Sequence, residues 1–184
     1  MVYRPQQRIF LPASSSLSVV TLLDLKRHLR VDGDDEDEVI AGFELAAISV
    51  VEKYTQRLLS ARSCTLKLPG LPSGQEPIEL PGGQVTALAS VMVDGVAITG
   101  CTFAGDSPAL LIPAVDWVIP VATNYPVTIT YTAGFATVPY DLILAIKLMV
   151  GEWFENRSNS NEGGLSEIPF AARAVMQQWR IRPI

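Results

Sequence analysis

The stretch V138-P-Y-D-L-I-L-A-I-K-L-M-V-G-E-W-F-E-N-R157 decides how this chain is read. Pro139 has its φ fixed near the helical value and lacks an N–H that a first helical turn would leave unpaired, so it opens a helix well. Leu142, Ile143, Ala145, Ile146, Met149, Val150, Trp153 and Phe154 then recur at steps of three and four, which puts them on one face. Leu144 and Leu148 extend that surface sideways, leaving Asp141, Lys147, Gly151, Glu152 and Glu155 as a narrow polar strip. An ordinary surface helix buries one side, whereas this one is expected to need two, the second covered by a neighbouring subunit. The four charges along it make a poor membrane span.

Upstream the period changes. C64-T-L-K-L68 alternates, and I78-E-L80, V85 through V93, A109-L-L-I112, W117-V-I119 and V127-T-I-T-Y-T132 read as further short strands between prolines and glycines. Asp94-Gly95 predicts a tight hairpin turn returning through V96-A-I-T99. Residues 62–132 are therefore expected to form a small, mostly antiparallel β insertion, not an alternating βαβ array.

Helices precede and follow that insertion. Thr21 with Asp24 reads as a capped start for a helix over 21–29, ended by Gly33 and its neighbouring aspartates. A second helix over 35–56 has Val39, Ile40, Phe43, Ala46, Ala47, Val50, Val51 and Tyr54 at helical spacing, with the acidic run at its positive end, and should pack on the 140–156 helix. Residues 1–19, with Pro5, Pro12 and Ser14 to Ser16, read as an extended arm, and 156–168 as a polar loop expected to be mobile. A last helix over 169–180 is marked by Phe170, Ala174 and Met176 or Gln177. The expected fold is α+β: an antiparallel helical bundle of long helices with a small β insertion, in a single domain over 20–184.

Composition narrows the function. The chain has 184 residues, 48% hydrophobic and 18% charged, enough for one substantial core but short of charge for a freely soluble monomer. A net charge of −5 argues against general nucleic-acid binding, which needs clustered cations. Asp32 to Glu38 is nearly all acidic, whereas Arg173, Arg180 and Arg182 make the C-terminus basic. Acidic residues at the start of the second helix would also repel DNA if helices 22–29 and 35–54 were taken for a helix-turn-helix. No apolar run follows the basic start, so no secretory signal is read, and Cys64 and Cys101 read as free thiols of a reducing compartment.

Catalytic chemistry finds no foothold. His28 is the one histidine and has no nucleophile pattern beside it, so it reads as a surface or partly packed side chain. The acidic run misses calcium-loop spacing, and no glycine stretch carries the Lys-Ser or Lys-Thr of a phosphate loop. No catalytic, metal or cofactor site is expected. The candidate residues are instead those of an interface: Leu144 and Leu148 for cohesion, Asp35, Glu36 and Asp37 against Arg173, Arg180 and Arg182 for register, and Trp179 among the arginines as an aromatic contact.

Three segments together resemble the head-tail connector family of tailed bacteriophages: V20-T-L-L-D-L-K-R-H-L-R-V-D-G-D-D-E-D-E-V-I40, V50-V-E-K-Y-T-Q-R57, and I129-T-Y-T-A-G-F-A-T-V-P-Y-D-L-I-L-A-I-K-L-M-V-G-E-W-F-E-N-R157. The resemblance implies a non-enzymatic adaptor that forms a ring, generally twelve-fold, beneath the portal protein. Such a ring extends the DNA channel and supports the next connector or tail protein. It implies assembly in the host cytoplasm and residence in the virion neck, with genomic DNA passing through unread. It also places Gly134 at a turn where a strand hands over to the Pro139 helix. The alternative reading is a genome-packaging accessory factor that binds DNA through the basic C-terminal stretch.

Overall fold

A computed structural model describes residues 8–13, 18–105, 108–117, 126–156 and 168–181. Arg182, most of the expected loop at 156–168, Val118 and Ile119 of the expected strand at Trp117, and most of the expected arm lie outside the described residues. The chain divides into two compact units, one of residues 1–15 with 60–136 and one of residues 16–59 with 137–184.

The first unit is all β among its described residues. Its strands are β1 (Ile9–Pro12), β2 (Arg62–Leu68), β3 (Ile78–Leu80), β4 (Val85–Val93), β5 (Val96–Ala97), β6 (Thr102–Ala104), β7 (Ala109–Ile112) and β8 (Val127–Ala133). They form a five-stranded sheet in the order β1-β2-β8-β4-β5 and a three-stranded sheet in the order β3-β7-β6, with antiparallel pairing throughout. Alternation explains the faces: Cys64, Leu66 and Leu68 of β2 and Val127, Ile129, Tyr131 and Ala133 of β8 point inward, one residue in two. Between β4 and β5, Asp94 and Gly95 have φ of 51° and 79°, the left-handed pair that a two-residue turn requires to match strand twist. Register shifts between Val85 and Ala87 and between Leu88 and Ser90 mark bulges where β4 pairs with β8. Buried Tyr131 donates its hydroxyl hydrogen to the Pro81 carbonyl at 2.8 Å, and burial pushes its phenol far above the ordinary value.

These sheets overturn the expected bundle with a small β insertion. Among the described residues the strands form two antiparallel sheets beside four helices, so β structure is a substantial part of the architecture and not a small insertion. Most of the strands are short, with a proline or glycine at or near an end, so they read locally as minor. What makes them substantial is pairing between distant segments, such as Val85 with Ala133.

The second unit holds α1 (Leu22–Leu29), α2 (Asp37–Thr55), α3 (Tyr140–Glu155) and α4 (Phe170–Gln177). The Thr21 side chain caps α1 by accepting from the Asp24 amide at 3.2 Å, and Arg30 ends the helix in the left-handed region. Helix α3 packs on α2, α4 and α1, burying Leu142, Ala145, Ile146, Met149, Val150 and Trp153. The Trp153 ring meets Phe43 edge-on, with centroids 6.3 Å apart. Helix α2 buries Ile40, Glu44, Ala47, Ile48, Val51 and Thr55, a stripe rotated from the expected one, so that Val39 and Ala46 face solvent. Helix α4 differs similarly: Ala172 and Met176 are inside, while Phe170 and Ala174 are exposed.

Candidate functional site

The second unit carries the residues singled out above. At the turn between α1 and α2, Lys26 Nζ lies 2.9 Å from Asp34 and 2.8 Å from Asp37, tying the last turn of α1 to the start of α2. The hydrogen bonds that Lys26 donates to Asp34 and Asp37 raise its amine above the ordinary value, and the bond accepted from Lys26 lowers the Asp34 carboxyl. Asp37 is therefore a half-buried structural partner. Asp35 is exposed and Glu36 half-buried at the N-cap of α2, with Asp32 and Glu38 exposed beside them.

A different cluster gathers around the chain after α4. Arg57 Nε donates to the Trp179 carbonyl at 2.6 Å, and its guanidinium lies 6.0 Å from the Trp179 ring centre. Burial pushes the Arg57 guanidinium below its ordinary value. The Arg180 guanidinium sits 5.5 Å over Tyr54, and the Ile181 amide donates to the Thr55 carbonyl at 3.0 Å. Asp141 Oδ2 accepts from Gln178 Nε2 at 3.1 Å and from Trp179 Nε1 at 3.4 Å. Trp179 and Arg180 are thus held on the end of α2 and the start of α3, and Arg173 stands exposed on α4.

The outer side of α3 is apolar at its N-terminal half. Tyr140 is 88% exposed and Leu144 45% exposed, with Leu148 half-buried, at steps of four on one helix face. Tyr140 and Phe170, the latter 86% exposed, are surface aromatics that sequence reasoning did not assign to the interface. Arg57 was likewise missed, since nothing local marks its contact with a tryptophan 122 positions away.

Glu44 was missed with a signal in plain view, as one acid set among apolar residues on the inner face of α2. It is buried, and its Oε1 accepts from the Ser18 hydroxyl at 2.9 Å, the Val19 amide at 2.8 Å and the Val20 amide at 2.9 Å. A carboxylate in that position fixes the chain entering α1.

His28 is exposed on α1, and a Cβ placed on Gly151 would lie 3.7 Å from its Nε2. Cys64 is buried in β2 and Cys101 half-buried before β6, both as free thiols. Among the described residues no three His, Cys, Asp or Glu side chains gather to hold a metal, and no helix is long and apolar enough to cross a membrane.

No protein-family model matches the chain, and no curated protein sequence matches it. Solved structures do. A chain from the neck of an empty gene transfer agent (GTA) particle, computed with C6 symmetry, is similar at a TM-score of 0.78 and 23% identity, over 96% of this chain and 97% of that one. A chain from the virion of the native GTA particle gives 0.77 and 22% over the same shares. Another, from the neck of the native particle computed with C12 symmetry, gives 0.76 and 22%, again over 96% and 97%. At these identities the likeness establishes the fold.

Proposed function

We propose that this chain is a structural adaptor that assembles into a ring in the neck of a phage-like particle. There it would sit between the portal protein and the tail or next connector and extend the DNA channel. The observation that carries this reading is the near-complete correspondence, at a TM-score of 0.78 over 96% of the chain, with a chain from a GTA neck computed with six-fold symmetry.

The chemistry of the surface supports it. Ring closure needs two unlike faces on each subunit, related by a fixed rotation. Exposed Leu144 with half-buried Leu148 supplies cohesion, while Asp35 and Glu36 on one copy, with Asp37 held by Lys26, and Arg173, Arg180 and Arg182 on the next set register by charge. Trp179, pinned by Arg57 and Asp141, holds the arginine-bearing segment in place for that contact. A net charge of −5 suits a wall past which DNA slides without adhering.

The test is the mass and shape of the purified protein, alone and with a portal protein, by light scattering and electron microscopy. Closed rings are expected in at least one of the two samples. Replacing Leu144 and Leu148 with glutamate should lower oligomer mass while circular dichroism keeps the helical signal. Monomers in both samples would overturn the proposal. Salt-dependent DNA affinity abolished by changing Arg173, Arg180 and Arg182 would turn it toward a packaging factor.

A further inference from the structure

Strand β1 adds little to the core: Ile9 is 36% exposed and Leu11 51% exposed, Pro12 is exposed and Phe10 half-buried. What β1 covers is an edge. Strand β2 runs from Arg62 to Leu68 without proline or glycine and pairs residue for residue with β8 on its other side. A regular edge of that length, left open, is one that another extended strand can pair with. The far side of the same sheet is blunted differently, because β4 carries two register shifts and β5 has only two residues. The register shows how β1 closes the β2 edge without opening a new one. In an antiparallel pair, opposed residues alternate between exchanging both backbone bonds and exchanging none. The Ala13 amide donates to the Ser63 carbonyl at 2.8 Å, so Leu11 with Thr65 and Ile9 with Lys67 are the bonded pairs. Phe10 and Pro12 therefore turn their backbone groups away from β2, and Pro12 has no N–H to offer there. Just ahead of the strand, Arg8 Nη1 lies 3.7 Å from Oε1 of buried Glu79, which ties the start of β1 to β3.

We propose that β1 is a guard strand: residues 8–13 fill the β2 edge and Pro12 ends the sheet, so that copies of this chain do not join edge to edge. With the guard displaced, the site is a strand edge offering the N–H and C=O groups of Ser63, Thr65 and Lys67, and its occupant is the same edge of a second copy, running antiparallel. The inference stands independently of the ring reading. Where rings form, it adds that the N-terminal residues suppress a competing contact that would stack sheets without closing.

Two variants of the full chain test it, each compared with a parent carrying Leu144→Glu and Leu148→Glu so that the ring contact proposed above does not enter. Leu11→Pro removes the N–H that bonds Thr65 and unseats β1. By hydrogen exchange, the Thr65 and Lys67 amides, which face β1, should exchange at least tenfold faster, while those of Cys64 and Leu66, which face β8, keep their rates. Light scattering on the same sample should show self-association strengthened at least tenfold. Pro12→Thr leaves β1 seated and restores the outward N–H, and should strengthen association at least threefold. Freed Thr65 and Lys67 amides with mass unchanged overturn the guard, as does a Pro12→Thr protein with the parent's mass. Should Leu11→Pro also free Cys64 and Leu66, the sheet has lost its fold and Pro12→Thr decides alone. Failure of the wild type to form rings, alone and with portal protein, overturns the adaptor reading and leaves these comparisons standing.

Discussion

Replacing Gly134 with alanine should be among the most damaging single-methyl changes available to this chain. Gly134 follows β8 with φ of +124°, a region that side chains rarely adopt. A Cβ there would lie 2.3 Å from the Ser60 carbonyl oxygen, 2.6 Å from its carbon and 2.9 Å from Ala61 Cα, all backbone atoms that cannot swing aside. The Gly134 amide also donates to the Gln84 carbonyl at 2.9 Å, which limits how far the residue can retreat. Strained backbone costs roughly 1–3 kcal/mol, and an overpacked contact about 1–3 kcal/mol more. Together that is about 2–6 kcal/mol, a large part of the roughly 5–15 kcal/mol that stabilises a domain. With a urea dependence of about 2 kcal/mol per molar, the midpoint should fall by about 1–3 M. Gly42→Ala is the matched control, because Gly42 lies within α2 with nothing within 4 Å of an added Cβ. That change should leave stability equal or raise it by up to about 1 kcal/mol. Should the Gly134→Ala midpoint move by less than about 0.3 M, the argument from the close approach of Ser60 is wrong.

Glu44→Ala should cost about 2–4 kcal/mol by leaving the Val19 and Val20 amides short of their acceptor, while the Ser18 hydroxyl keeps the Val20 carbonyl at 2.6 Å; Glu44→Gln, which keeps the accepting oxygen, should recover most of that in thermal melts. Tyr131 is an acid whose folded value is raised, so its contribution is present below the ordinary value of 10.0 and is lost as pH rises above it. Tyr131→Phe should leave the phenolate absorbance of the native protein unchanged in alkali, while the wild type shows an extra rise of one tyrosine on unfolding. Asp34 is held below its ordinary 3.8 by Lys26, so its contribution is present above 3.8 and is lost as pH falls through the folded value. Lys26→Met should accordingly flatten the acid limb of a plot of urea midpoint against pH, and an unchanged limb would remove the ion pair from the account.

Some of this architecture can be read directly from residue order. The alternation of Cys64, Leu66 and Leu68, the Asp94-Gly95 turn and the Thr21 cap each depend on neighbours a few positions away, and local chemistry suffices to place them. The relative weight of helix and sheet does not follow from such signals. β2 pairs with β8 across residues as distant as Arg62 and Ala133, and Ile9 to Pro12 becomes β1 because β2 offers it an edge from Lys67 to Cys64. A strand of four residues is an unremarkable stretch until its partner is known.

The rotation of a helix about its axis is the second quantity that sequence underdetermines, and it decides which apolar residues are left on the surface. In α2 and α3 apolar residues occupy so many positions that several neighbouring stripes fit the same period, and only packing chooses among them. The choice falls on Ile40, Glu44, Ala47 and Val51 in α2, which turns Val39 outward and admits a carboxylate that sequence reasoning would place in water. In α4 it falls on Ala172 and Met176, small and flexible side chains, and the largest apolar residue of that helix, Phe170, is left in solvent. Leu144 and Leu148 were selectable because they lie outside the dominant face of α3. Tyr140 was not, because the first residue of a helix has no preceding turn to fix its direction. Surplus apolar surface on a helix is therefore visible in the sequence, but the residues that carry it are identified only once the inner face has been chosen.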